Sequence, residues 1–464
     1  MKRITQCRAC GSTALAPAFQ FETIEDAPRR KGGSTSAKGR TKQKKKTSEF
    51  VVCDATQDAE ACGLLQRAEC DASTADRAPS GFYRSNRGHL RAAATEALEL
   101  ISGRDCAALD IGCSDGTLLS FYPRWVDRVG VDTADIVERV GAWATTHKAS
   151  FPSRELDEAF AGRKFDLISA ISVLEDVDEP RPFLNNAKSL LTDDGVLIIE
   201  TLYAPMMLTR TNVDAVFNGR SAVYSLGSLE RLFRDCGLKI FRGSLTDKEG
   251  GSIRLFATHA DLDDYDFDPW YERLARLWDE ENALALRLLA PYQAYEQRVD
   301  EVRAGFQKLV SDICRDGETV HLLGADASAR QLYAWAGKAA SSIEAAISPT
   351  EPEEGARLFP GGPELIGEAA ARALEADVFI AGAAHKRDLL ERWRDPILRG
   401  ATMIFATPTP HVVTSANYSA EFGKALVGAD GSGGPETLRA ILGAAGGPRL
   451  VVENGDDDRA AASA

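Results

Sequence analysis

The stretch Leu109–Tyr122, LDIGCSDGTLLSFY, constrains this chain more than any other. The short apolar run Ala107–Ile111 carries one acid, Asp110, and stops at Gly112. A small polar turn follows, Cys113-Ser114-Asp115-Gly116, and a helix-like run begins at Thr117. The pattern reads strand, tight turn, helix. Gly112 and Gly116 leave no side chain where the backbone must come close to a ligand. The start of the expected helix would offer unpaired N–H groups and a positive dipole end.

The glycines read G-x-x-x-G, so the turn is not the G-x-G-x-x-G dinucleotide fingerprint. The next apolar run ends in Gly130-Val131-Asp132, which places Asp132 22 positions after Asp110 (132 − 110). An acid at the end of the second strand of a βαβ unit is placed to accept hydrogen bonds from ribose hydroxyls. Phe165–Ala170 reads as a fourth strand that runs into Ile171-Ser172-Val173-Leu174-Glu175-Asp176-Val177. A helix rich in Leu and Lys, a turn at Thr192–Gly195 and a buried strand, Val196–Thr201, complete the succession. The turn resembles the first motif of class I S-adenosylmethionine (SAM) methyltransferases, and the later elements resemble the second half of the same fold. The resemblance implies SAM contacts from Asp110, Gly112, Ser114, Asp115, Gly116, Asp132, Ser172 and Val173. Common members carry a Glu-His pair after the fourth strand; here it is Glu175-Asp176.

A net charge of −14 argues against a general nucleic-acid binder, which would be basic. No apolar run is long enough to span a membrane, and the start, MKRITQCRACGS, has no apolar segment of a secretory leader. A cytoplasmic location is the expectation. There, nine cysteines point to metal ligands or buried thiols rather than disulfides. Cys7-Arg8-Ala9-Cys10-Gly11 has the spacing that lets two thiolates reach one ion. Cys53 and Cys62 supply the expected second pair for a structural zinc, with Cys70 able to replace either. Between the pairs, residues 26–48 hold RRK, KGR and KQKKK with almost nothing apolar, which predicts a disordered basic insert. No aromatic residues interleave with its charges, so a solvated loop is expected over a zinc-ribbon RNA contact.

A cysteine module ahead of such a domain resembles the SAM-dependent C-methyltransferases of deoxysugar biosynthesis. Matching pieces are CRACGS, CGLLQ, FYRS (Phe82–Ser85), LDIGCSDGTLL, VLEDV, YSLGSLERLF (Tyr224–Phe233), GGSIR (Gly250–Arg254) and the Gly-rich turn Gly324-Ala325-Asp326-Ala327. The resemblance implies an α/β fold: a class I methyltransferase Rossmann-like domain between a small N-terminal zinc-binding module and a C-terminal Rossmann-like domain. The expected division is 1–75 for the zinc module and 76–262 for the SAM domain. A helical connector, 263–318, the third domain, 319–415, and an extension, 416–464, follow. The resemblance also implies a small-molecule acceptor, a sugar nucleotide or related biosynthetic intermediate; the helical connector could support dimerisation, so a monomer or homodimer is expected.

One departure concerns the chemistry. The family carries a Tyr-His-Glu-His signature before the Y-S-L motif, including the catalytic base, and a histidine before G-G-S. Here the aligned residues are Phe217-Asn218-Gly219-Arg220 and Glu249. Three readings stay open: methyl transfer to oxygen or nitrogen, C-methylation with a relocated base, or a SAM-binding scaffold or regulator that no longer transfers. Tyr83, Asp176 and Tyr224 are the catalytic candidates, with Glu175 and Tyr203 beside them. Arg220 could bind a phosphate or carboxylate of the substrate, since its planar fork suits both.

Overall fold

The central sheet has seven strands: β1 (Ala107–Ile111), β2 (Asp127–Asp132), β3 (Thr145–Lys148), β4 (Phe165–Ile171), β5 (Leu191–Leu202), β6 (Leu238–Thr246) and β7 (Ser252–His259). Their order is β3-β2-β1-β4-β5-β7-β6. The first five run parallel, and β7 is antiparallel to both β5 and β6. Leu109, Val129, Ile168, Leu197 and Ile199 are buried, as both-face burial of a parallel sheet demands. Sheet growth reverses direction between β1 and β4, so the crevice at their carboxyl ends is the expected ligand position. The computed structural model describes residues 2–24, 45–70, 80–82, 84–101, 105–217, 219–263, 265, 268–314, 317–383 and 385–423.

The helix expected from Thr117 is replaced by a single 3-10 turn, Leu119–Phe121. The cause is local. Gly116 sits at φ +73°, and the Thr117 amide and hydroxyl are both held by the Asp115 carboxylate at 3.1 and 2.6 Å. Pro123 then forces Tyr122 into extended backbone (φ −71°, ψ 143°). The crossover after β2 is likewise a 3-10 turn, Asp135–Arg139. The turn expected at Thr192–Gly195 is an irregularity inside β5, which pairs Leu191 with Phe165 and then Val196 with Leu167.

Four antiparallel strands, Leu15–Ile24, Lys45–Cys53, Leu65–Arg67 and Ala222–Val223, form the sheet of the N-terminal module. The last of them comes from the SAM domain. Pairing of the hairpin reaches Ile24 and Lys45, so Lys45–Ser48 of the expected basic insert are strand; residues 25–44 lie outside the described residues. The helices Asp268–Ala283 and Ala290–Ile313 connect to the third domain, with Pro291 in the first turn of the second, where it costs no hydrogen bond. Tyr292, Tyr295, Val299, Val302, Phe306 and Val310 recur at helical spacing and are buried.

The third domain carries β8 (Val320–Leu323), β9 (Ile343–Ser348), β10 (Glu364–Gly367), β11 (Val378–Ala381), β12 (Thr402–Phe405) and β13 (His411–Val413), in the order β10-β9-β8-β11-β12-β13. All pairs are parallel except β12–β13. The helix Tyr418–Gly423 closes it, its Tyr418 hydroxyl donating to Leu390 O at 3.0 Å. The rest of the expected extension lies outside the described residues. Among the described residues, no helix is long and apolar enough to cross a membrane.

Candidate active site

The structure gathers most of the expected cofactor residues at the β1/β4 switch point. Gly112, Ser114 and Gly116 all have positive φ, at +76°, +51° and +73°. A Cβ on Gly112 would lie 2.5 Å from Val173 Cγ2, so glycine there is what lets the end of β4 close on the turn after β1. Asp132, at the end of β2, accepts from Ser114 N and Ala134 N, both at 2.8 Å. Ser172 has φ +57° and its amide donates to Glu200 O.

The amides expected to face the ligand are spent inside the turn. Those of Gly112 and Cys113 donate to Val131 O, that of Ser114 to Asp132, that of Gly116 to Cys113 O and that of Thr117 to Asp115. With no helix behind it, this is a shaped slot rather than an anion nest. A dinucleotide pyrophosphate would find these amides already engaged. Ser114 and Asp115 use their side chains on the preceding segment: Ser114 Oγ accepts from Ser80 N at 3.3 Å and Asp115 Oδ2 from Gly81 N at 2.9 Å. Trp143, which the sequence reading passed over, lies with Val140 about Gly116, 3.1 Å from where a Cβ would stand.

Asp110 is buried in mid-sheet, its Oδ1 accepting from Ser169 Oγ at 2.7 Å. Burial, opposed by the Ser169 bond and helped by the charge of Asp132, pushes its carboxyl up to about 7. The folded chain therefore holds this proton more tightly than the unfolded chain, where an aspartate titrates near about 3.9. The stability it contributes is full below that value and is lost as pH rises through about 7. Asp110→Asn keeps an oxygen for Ser169 and removes the titration. Thermal unfolding of the parent is expected to fall relative to the variant between about pH 4 and 7. Parallel curves across that window would contradict the assignment.

At the acceptor end the structure corrects several expectations. Phe217 packs edge-on against Trp335 (5.5 Å) and Phe21 (5.9 Å). Arg220 is 2% exposed. Its Nη1 donates to both Asp176 oxygens at 3.0 and 2.9 Å and lies 3.8 Å from Glu175, while Nη2 pairs with Glu249. Burial alone would lower this guanidinium; the three carboxylates outweigh it and push it up. Arg220 is therefore an internal counter-ion, not an open substrate ligand, and Asp176 is its partner rather than a free base. The two positions where the resemblance implies histidine, Arg220 and Glu249, contact each other. Tyr224 and Tyr203 are also corrected: both are fully buried, with hydroxyls donating to Leu174 O (3.5 Å) and to Glu281 (3.0 Å). Burial pushes both phenols up, away from any role as a base. Tyr83 and Asn218 lie outside the described residues.

Cys7, Cys10, Cys53 and Cys62 bring four sulfurs within 4.8 Å of one another. Cys7 and Cys62 are 3.6 Å apart and Cys10 and Cys53 are 3.4 Å apart. Tetrahedral zinc with bonds of about 2.3 Å spaces its sulfurs by about 3.8 Å, so the set needs little change to hold the ion. Without a cation, the other three thiols and burial push Cys62 far up. The side chain of Cys70 lies outside the described residues.

Residues 83–242 match the family described as "Methyltransferase domain", and residues 247–408 match "C-methyltransferase C-terminal domain". A C-methyltransferase, NovU, of Streptomyces niveus is 26% identical over 350 residues, covering 71% of this chain and 82% of its own. A ubiquinone biosynthesis O-methyltransferase of Azorhizobium caulinodans is 33% identical over 99 residues, 20% of this chain and 39% of its own. A solved SAM-dependent methyltransferase from Clostridium acetobutylicum ATCC 824 aligns with 37% of this chain and 91% of its own, at 13% identity and a TM-score of 0.32. With the strand order and the four-sulfur cluster, the two family matches and the NovU relative show a SAM-dependent methyltransferase with a domain of class I fold and an N-terminal cysteine cluster fitted to zinc.

Proposed function

We propose that this enzyme transfers the methyl group of SAM to a carbon beside a carbonyl in a nucleotide sugar or related biosynthetic intermediate. The observation that carries the reading is how the 247–408 region, similar to C-methyltransferase C-terminal domains, meets the acceptor end. The Asp388 carboxylate of the third domain accepts from the amide of Ser85 at 3.0 Å and from its hydroxyl. Lys248 Nζ donates to the neighbouring Asn86 at 2.6 Å. The NovU relative, a C-methyltransferase 26% identical over 350 residues, supports a carbon acceptor.

SAM supplies a methyl group already activated on sulfur, so in-line positioning provides much of the rate. On this reading Gly112, Gly116, Ser172 and Val173 shape the slot for it, and Ser114 and Asp115 fix the segment that covers the turn. Asp110 places a carboxyl beneath the slot. Asp132 keeps lone pairs beyond its two amide bonds for the ribose hydroxyls. The Glu175–Asp176–Arg220–Glu249 cluster borders the acceptor side and gives it a fixed polar wall. A second reading, a SAM-binding scaffold, draws on the commitment of Arg220 to three carboxylates.

The zinc-loaded chain, incubated with methyl-labelled SAM and a nucleoside-diphospho-4-ketohexose, is expected to place label on carbon. Asp132→Ala should weaken SAM binding about 10- to 100-fold by calorimetry, the worth of a charged hydrogen bond. SAM binding in the parent without label transfer to this acceptor would favour the scaffold reading.

A further inference from the structure

C-methylation needs a group that removes a proton from carbon, and the family positions for it are Arg220 and Glu249 here. Neither serves: the guanidinium does not deprotonate, and it holds Glu249 in an ion pair. The sequence holds six histidines, all among the described residues, and each has contacts of its own, so position is what separates them. His89 lies 2.7 Å from Glu200 and 3.0 Å from Arg254. His147 packs edge-on against Phe160. His259 contacts Thr192 O at 3.1 Å. His321 is 1% exposed within β8. His411 bridges Lys386 and Thr409 O, at 2.8 and 2.7 Å.

His385 is placed differently. It is half-buried at the N-cap of the helix Lys386–Arg392 in the third domain, on the side that meets the SAM domain. One turn on, Asp388 holds Ser85, and the adjacent Asn86 holds Lys248. Asn86 also donates to Ser80 O at 2.5 Å, and Ser80 and Gly81 are fixed to Ser114 and Asp115 of the cofactor turn. At the end of β11, in the connection that leads to His385, a Cβ on Gly382 would lie 3.8 Å from both carboxylate oxygens of Asp214. The contacts run without a break from the cofactor turn to the helix that carries His385.

We propose that His385 is the general base of this enzyme, supplied by the third domain in place of the histidines replaced by Arg220 and Glu249. The proposal rests on the C-methyltransfer reading above. The proton beside the acceptor carbonyl passes to an imidazole nitrogen. The electron pair left on carbon forms the new carbon–carbon bond with the methyl of SAM. The electrons of the broken methyl–sulfur bond stay on sulfur, giving S-adenosylhomocysteine, and the imidazolium returns its proton to water. The groups whose charges reach His385 are Lys248 and Glu249 of the loop before Gly250, Asp388 of its own helix and Asp326 at the start of the helix Ala327–Trp335. Burial and Lys248 outweigh the three acids and hold the imidazole below its ordinary value, so it is neutral and able to accept a proton at pH 7.

The test uses the zinc-loaded full chain, labelled SAM and the nucleoside-diphospho-4-ketohexose. His385→Gln should lower kcat about 100-fold or more, the range for loss of a general base. SAM affinity and unfolding temperature should stay close to the parent's, and the acid limb of the parent's pH–rate profile should disappear. Imidazole added to His385→Gly should restore part of the rate. In deuterium oxide with S-adenosylhomocysteine, the parent should exchange the proton beside the ketone and His385→Gln should not. If the parent transfers methyl and His385→Gln matches its rate and pH profile, the His385 proposal fails while the C-methyltransfer reading stands. If the parent neither transfers nor exchanges, that reading fails and the proposal with it.

Discussion

Gly112→Ala is expected to weaken SAM binding by about two to three orders of magnitude. Two costs combine. Gly112 has φ +76°, in the left-handed region, where an L side chain costs about 1–2 kcal/mol. The new methyl would also stand 2.5 Å from Val173 Cγ2, and overpacking of this kind costs about 1–3 kcal/mol. At about 1.4 kcal/mol per tenfold, the sum falls on the slot proposed for the cofactor. The turn cannot slide away, because the Gly112 and Cys113 amides are tied to Val131 O and Ser114 is tied to Asp132. The added carbon and Val173 form a natural double-mutant cycle. Val173→Ala in the Gly112→Ala background should recover the packing part of the loss and leave the backbone part. Calorimetry with SAM on the four proteins checks this; an unchanged dissociation constant in Gly112→Ala would refute the close approach of β4 to the turn.

That glycine was legible in the sequence, and its partner was not. Short apolar runs, a two-glycine turn and Asp132 at the end of β2 are local patterns, and the strands they predict are the strands that form. The helix expected from Thr117 fails for reasons equally local, Asp115 on the Thr117 amide and Pro123 after Tyr122, but those compete with an apolar run that reads as helical. Contacts between distant segments leave no local trace. Arg220 reads as a free cation until Glu175, Asp176 and Glu249 are brought around it. Tyr224 reads as a phenol near the site until its neighbours bury it. His385 lies 136 residues from Glu249 (385 − 249), and only the docking of the third domain places the two near each other.

The zinc module reaches the acceptor side as well, which gives Cys62→Ser an effect beyond stability. The parent should carry one zinc per chain and the variant none. Structural zinc sites contribute about 10–16 kcal/mol of apparent binding energy to small modules, so losing one thiolate should unfold this one. Cys7, Cys53 and Cys62 are buried in one core with Tyr224 and Leu226 of the SAM domain. The module's strand Leu65–Arg67 pairs with Ala222–Val223, and Arg67 further holds Ser221 O at 2.9 Å and Gly219 O at 3.3 Å. Ser221 N in turn donates to Glu175 O at 2.7 Å. The segment that carries Arg220 is thus clamped between the zinc module and the end of β4. Asp110, Gly112 and Asp132 lie on or beside β1 and β2, which pair with each other and not with the clamped segment, although Leu109, Ile111 and Val131 share its core. Cys62→Ser should therefore raise the acceptor KM and lower kcat far more than it changes SAM affinity. Metal analysis, calorimetry with SAM and steady-state kinetics on the same preparation separate these effects. Equal losses in SAM affinity and acceptor turnover would mean that the module supports the whole fold rather than the acceptor wall.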